Sequence, residues 1–391
     1  MTISKHRNGF IPIAVILLIV IASATVSGGV FYYVGKKSRV AEIPANTTIP
    51  TPTANEPSIS NPPEDQIVSP TPIPLPPQSP KPTTEKTIPP TKSAEPQKTS
   101  QPSPQSQPAP TTSAVSFEVT IDPGVRLSGG AIPYVLKLKD GGYRMYYCGM
   151  SAPGILSAIS SDGLEFIKES GVRLSPVGGN ESVVCDPTLV DLPDGRVRMY
   201  YKGGTGGGGG GPSESIHRIY SAVSNDGLNF QREGLVVDSE ISGDGGFASV
   251  PAAIRLPDSR VRLYYVSNSS YVGHGVVSRI SSDGINFTPE STKVAAFVDP
   301  EITTLPNQRV LLVASTIPVL PKGIKAPVPA GIYAFVSSDG INFGDPIKLV
   351  ADGKIWIDPA IIKTGEKTYR LYYWSPNENP NLIHSATLRL K

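Results

Sequence analysis

Cysteine occurs twice in the 391 residues, tryptophan twice and methionine four times. Two cysteines exclude both a disulfide-framework protein and a four-cysteine zinc module. An excess of charge of one sign is also missing. The chain has 35 basic and 33 acidic residues, a formal net charge of +2, which gives no electrostatic footprint for nucleic acid. Between Ala41 and Ala114 there is no glycine and no Phe, Tyr or Trp, while 20 of the 41 prolines lie there. Such a stretch cannot bury enough apolar surface to offset its chain entropy, and it does not fold alone.

Charge is absent altogether between Asn8 and Gly35, and Phe10 to Val34 is almost continuously apolar. That exceeds the roughly 20 residues a membrane-crossing helix needs. Phe31, Tyr32 and Tyr33 close the run, where aromatic rings favour the interface. The sequence therefore predicts a short tail (1–8), a transmembrane signal anchor (9–35) and a Pro/Ser/Thr-rich linker (36–114) of extended, partly polyproline-II character. A cleaved signal peptide ending at Ala22-Ser23-Ala24 is the competing reading. With the anchor retained, the expected location is the cell membrane, crossed once, with residues 115–391 outside the cytoplasm.

What is abundant in residues 115–391 is repetition. Ser-Asp-Gly-Leu-Glu-Phe at 161–166 returns as Asn225 to Phe230, Ser282 to Phe287 and Ser338 to Phe343, at spacings of 64, 57 and 56 residues. Each copy follows a short apolar strand. Upstream lies a strand reading RMYY (144–147, 198–201) or RLYY (262–265, 370–373), degenerate at 309–314 as RVLLVA. Before that comes a strand opening on Pro133, Pro187, Pro251, Pro300 or Pro359. Four short antiparallel strands repeated about every 55 residues make a β-propeller blade. Five proline strands but four Asp-Gly turns imply five blades. The missing outer strand comes from Ser116 to Ile121, closing the ring and removing an exposed edge. The Asp-Gly pairs read as hairpin turns, with Phe166, Phe230, Phe287 and Phe343 packed between blades.

In such a ring the proline strands are innermost, and the residues before the prolines converge on the axis. They are Ile132, Asp186, Val250, Asp299 and Asp358, with Glu301 two positions beyond Asp299 on the same side of its strand. The five-bladed repeat, the Asp-Pro strand openings and the S-x-D-G-x-x-F turns resemble the arabinanase, xylosidase, invertase and levansucrase group of glycosidases. That resemblance, over residues 115–391, implies an Asp and a Glu at the reaction centre and a second Asp tuning the acid. One carboxyl protonates the leaving oxygen while the other acts as base or nucleophile. The family's base opens the first blade, where this chain has Ile132. Shifted by one blade, Asp186 matches the base and Asp299 the tuning Asp. Asp358 stands where the family has its acid Glu, with Glu301 the other candidate acid.

The resemblance makes polysaccharide or glycan the expected partner. The readings as a glycoside hydrolase, as a non-catalytic carbohydrate- or cell-wall-binding propeller, and as a protein-interaction propeller all stay open. Lys202, Asn268 and Trp374, after the second strands, and Trp356, before the fifth proline strand, are the candidate substrate-binding residues. Cys148 and Cys185 fall on one face of neighbouring blades, as a disulfide or as two buried thiols. The glycine run 203–211 lacks the Lys-Ser/Thr of a phosphate loop and reads as a mobile rim loop. His217, His274 and His384 lack ligand spacing, so neither metal nor cofactor is expected. A monomer is expected.

Overall fold

The computed structural model describes residues 115–149, 153–205 and 215–391. The expected anchor (9–35), the linker (36–114) and most of the glycine loop lie outside the described residues. Among the described residues no helix is long and apolar enough to cross a membrane.

The described chain is a five-bladed β-propeller. Blade I comprises Gly130–Lys137, Tyr143–Gly149, Ile155–Ser160 and Ile167–Lys168. Blade II comprises Val183–Asp191, Val197–Gly204, His217–Ser224 and Gln231–Val237. Blade III runs Ala248–Arg255, Val261–Ser267 and Gly275–Ser281, with Thr288–Pro289 and Val294–Ala295 at its edge. Blade IV is Val298–Thr304, Val310–Thr316, Gly331–Ser337 and Ile347–Val350. Blade V is Ile357–Lys363, Thr368–Trp374 and Leu382–Leu390, completed by the N-terminal strand Phe117–Ile121. In that closure Phe117 pairs with Leu390 and Ile121 with Ala386, antiparallel.

Neighbouring blades are joined by one repeated clasp. Arg144 Nη1 donates to the Asp226 carbonyl at 3.2 Å and Tyr146 Oη to the Gly227 carbonyl at 2.8 Å, linking blade I to the Asp-Gly turn of blade II. The pairs Arg198/Tyr200 and Asp283/Gly284, Arg262/Tyr264 and Asp339/Gly340, and Arg370/Tyr372 and Asp162/Gly163 repeat it. In the first three of these blades the arginine is also held bidentate by a glutamate, Glu169, Glu233 or Glu290. The phenylalanine after each turn then meets the tyrosine edge to face, with centroids 5.8 to 6.0 Å apart.

The turn itself is built for this contact. Ser224 Oγ accepts from Gly227 N–H, and Asp226 Oδ1 accepts from Leu228 and Asn229 N–H. Gly227 has φ +69°, and a Cβ there would stand 2.8 Å from Tyr146 Oη. Glycine is thus required twice over, for the left-handed backbone and for the close approach.

Blade IV departs from this pattern. Register places Leu311 and Val313 where the other blades carry the Arg and Tyr. Their neighbour, blade V, has no Asp-Gly turn, because its outer strand is the N-terminal one. Where there is no turn there is nothing to clasp. Leu311 and Val313 instead join an apolar cluster with Tyr369, Leu371, Leu388 and Phe117 of blade V. The degenerate strand of the sequence is the counterpart of the ring closure.

Candidate functional site

All five proline strands carry the same irregularity. In blade I, Ala131 faces Cys148 and Tyr134 faces Tyr146, so three steps on one strand match two on the other. Blades II to V repeat this one-residue bulge at the X-Pro pair. Proline cannot donate to a sheet ladder, and a bulge accommodates it. The residue before each proline is left-handed: φ is +54° at Ile132 and Asp186, +48° at Val250, +53° at Asp299 and +47° at Asp358. Asp tolerates that backbone, whereas β-branched Ile and Val are strained in it. The ring therefore imposes the conformation whatever the side chain.

The five residues, their prolines and Glu301 line one recess on the axis. The recess has room for about one water molecule. A second ring of residues stands behind the first. The residue opposite the bulge on each second strand is Cys148, Lys202, Val266, Ser315 or Trp374. Where the inner residue is Asp, its partner on the same blade is a donor. Lys202 Nζ lies 2.9 Å from Asp186 Oδ2, Ser315 Oγ donates to Asp299 Oδ2, and Trp374 Nε1 donates to Asp358 Oδ2 at 2.7 Å. Where the inner residue is apolar no donor is needed. Val266 joins Val250 in one apolar cluster, and Cys148 is free to reach the next blade.

Cys148 and Cys185 are joined by a disulfide, with Cα atoms 5.4 Å apart. Asp186 N–H points at Cys148 Sγ, 3.3 Å away. Asp186 is thus held by the bridge through its own backbone and by Lys202 through its carboxylate. Ser249 Oγ lies 3.5 Å from the same carboxylate oxygen, and His217 Nδ1 lies 3.1 Å from Ser249 Oγ. The other oxygen, Asp186 Oδ1, is buried with no protein partner.

The electrostatics of the recess follow from burial. Glu301 is driven up to about 8 by desolvation, offset only by a hydrogen bond from the Ile302 backbone. Asp299 is raised by burial, with the Ser315 hydrogen bond pulling the other way. Asp358 is raised well above the usual carboxylate range, first by burial and then by the neighbouring Asp299 and Asp186. Burial and then Lys202 push the His217 imidazole down to about 3, so it is neutral. The recess therefore combines Asp186, ion-paired with Lys202, with Asp299, Asp358 and Glu301, whose carboxyls burial raises, Glu301 far enough to keep its proton at pH 7.

The candidate binding residues take different places. Lys202 and Trp374 reach the aspartates from behind, as donors. Trp356, 5 % exposed, bonds Asp352 Oδ1 through Nε1 at 2.9 Å and packs edge-on against Tyr373 and His384. Asn268 pairs with His274 Nδ1 in a surface loop. Neither Trp356 nor Asn268 lines the recess, and both indole rings are packed inside rather than offered for stacking. Ser315 and Ser249 escape a reading of the sequence. Ser315 follows the degenerate strand, where the Tyr-Tyr marker that would flag it is missing.

No protein-family model matches the sequence, and no curated protein is similar to it in sequence. Solved structures do share the fold. An α-L-arabinanase from Cellvibrio cellulosa, complexed with arabinohexaose, superposes with a TM-score of 0.52 at 12% identity, over 68% of this chain and 96% of that one. An α-L-arabinofuranosidase from Lactobacillus brevis gives 0.51 at 13% identity, over 69% and 92%. At such identities the likeness is one of fold.

Proposed function

We propose that this chain is a carbohydrate-active propeller, anchored in a membrane through residues 9–35 and displayed outside the cytoplasm on the linker 36–114. Its carboxyl-lined recess is the place where a glycan is bound and cleaved. The observation that carries this reading is the convergence of Asp186, Asp299, Asp358 and Glu301 on one recess, in a fold shared with an arabinanase and an arabinofuranosidase. Glycoside hydrolysis needs one carboxyl that keeps its proton and one that has lost it. Asp186, charge-paired with Lys202, fits the base. Asp358, raised first by burial and then by the neighbouring Asp299 and Asp186, fits the proton donor; its N–H lies 3.5 Å from Asp299 Oδ2. Glu301, raised by burial to about 8, is the second candidate donor.

One observation favours a second reading, a propeller that binds glycan without cleaving it. The recess takes about one water, and each aspartate already has a donor from its own blade. Incubation with arabinan, xylan and fructan, read both as binding and as release of reducing ends, separates the two. Release that disappears in Asp186→Asn, with binding kept, supports the hydrolase. Binding without release supports the second reading. Absence of both overturns the proposal.

A further inference from the structure

The recess opens on the face of the ring that carries the loops between second and third strands and between successive blades. On blade II, the arginines Arg218 and Arg232 are matched. Arg218 pairs with Asp238 and Glu240, and Arg232 with Glu181. The side formed by blades III to V differs. Lys293, Lys322, Lys325 and Lys354 are exposed there, and among the described residues none has a carboxylate within ion-pair distance. Two acidic groups lie nearby: Asp352, whose Oδ1 accepts from the Lys354 backbone N–H and from Trp356 Nε1, and Glu378, which pairs with His384.

The segments that carry the four lysines pack on one another. Lys322 Nζ reaches the Asn268 carbonyl at 3.4 Å, and Lys293 Nζ sits 5.2 Å from the centre of the Tyr271 ring, so both rest on the loop 268–274. Ile324, beside Lys325, lies against Gly273 of that loop. Ile324 and Ile355, the neighbour of Lys354, pack on one apolar cluster with Phe247, Leu320 and Val298. Val250 belongs to that cluster and lines the recess as well. These lysine-bearing segments thus form a shelf packed on a cluster that also lines the recess. Tyr271, 48% exposed, is the open aromatic ring on it, held in place by its hydroxyl bond to the Ser291 carbonyl.

We infer that this shelf binds an acidic polysaccharide whose sugar rings themselves carry carboxylates, a uronate polymer, and feeds it toward the recess. This rests on the proposed carbohydrate function and names its substrate class. Two features of the shelf point to that chemistry. Unpaired lysines are strongly hydrated point charges that complement a carboxylate row. An exposed tyrosine with a lysine over its ring matches a sugar that presents an apolar C–H face and an anionic group on the same ring. A polymer with its charge on a ringless backbone uses only the first of these features.

The test uses the full chain and four probes: polygalacturonate, neutral arabinan, poly(glycerol phosphate) and phosphatidylglycerol vesicles. Expected is tighter binding of polygalacturonate than of arabinan, weakening as salt rises from about 50 to 500 mM because the lysines are exposed. Charge reversal of all four lysines (K293E, K322E, K325E, K354E) should weaken polygalacturonate binding by about ten-fold or more. Tyr271→Ala should weaken it as well, and neither change should alter arabinan binding or the melting temperature. Equal affinity for polygalacturonate and arabinan, or indifference to the charge reversal, overturns the inference. So does a preference for poly(glycerol phosphate) or for vesicles. Because Asp186→Asn reads the recess through arabinan and the lysine variant reads the shelf through polygalacturonate, failure of the one proposal is distinguishable from failure of the other.

Discussion

Lys202 Nζ stands 2.9 Å from Asp186 Oδ2, and both side chains are almost wholly buried at the axis of the ring. Removing one partner of such a pair strands an uncompensated charge, at a cost of about 3–5 kcal/mol. Lys202→Met should therefore lower the unfolding free energy by that amount in urea denaturation. Adding Asp186→Asn to the same chain should recover most of it, since the charge that lost its partner is then gone. A single-variant cost below about 1 kcal/mol contradicts a buried pair, since that is what an exposed one contributes.

Glu301 sets an expectation for pH. Its carboxyl is raised from 4.5 to about 8 in the folded chain, so between those values the folded state holds a proton that the unfolded state has released. Stability then falls as pH rises through that window, by an amount on the order of a few kcal/mol. Melting temperatures between pH 4.5 and pH 8 should show the decline, and Glu301→Gln should flatten it. A variant whose pH profile overlays that of the parent would place Glu301 in water.

The clasp between blades I and II can be dissected one group at a time. Tyr146→Phe leaves the Gly227 carbonyl without its donor and should cost about 1 kcal/mol. Gly227→Ala should cost more, about 2–4 kcal/mol, because the left-handed backbone penalty adds to a Cβ pressed against Tyr146 Oη. Denaturation midpoints of the two variants give the order directly.

The disulfide closes a loop of 37 residues of sequence separation. On the chain-entropy account that stabilises the fold by about 4 kcal/mol. The double variant Cys148→Ser, Cys185→Ser should melt lower by a corresponding margin, while reductant should shift the melting of the parent chain but not of the variant. An equal response of both to reductant would mean that no bridge forms.

Most of the architecture was legible because it is repeated. Five Pro-strands, four Asp-Gly turns and a spare N-terminal strand leave one way to close a ring, and Phe166, Phe230, Phe287 and Phe343 pack between blades as their spacing suggests. The convergence of Ile132, Asp186, Val250, Asp299 and Asp358 also follows from the repeat. Their left-handed backbone does not, since Ile and Val at two of the five positions disguise it. The donors behind the aspartates were half legible. Lys202 and Trp374 follow a Tyr-Tyr pair and stood out, but as groups for a substrate rather than for Asp186 and Asp358. Ser315 follows a strand that had lost its marker. Trp356 looked available because sequence records proximity to a strand and not which way a ring is turned.

The ring closure also decides which way the recess looks. Phe117 lies beside Leu390 and Ile121 beside Ala386, so the N-terminal strand starts at the end of the blades that bears the Asp-Gly turns and climbs toward the other. The polypeptide consequently enters the propeller from below, and the carboxyls open above. A ligand approaching the recess meets the face turned away from the start of that strand, and the strand itself belongs to blade V, next to the seam where Leu311 and Val313 replace the clasp.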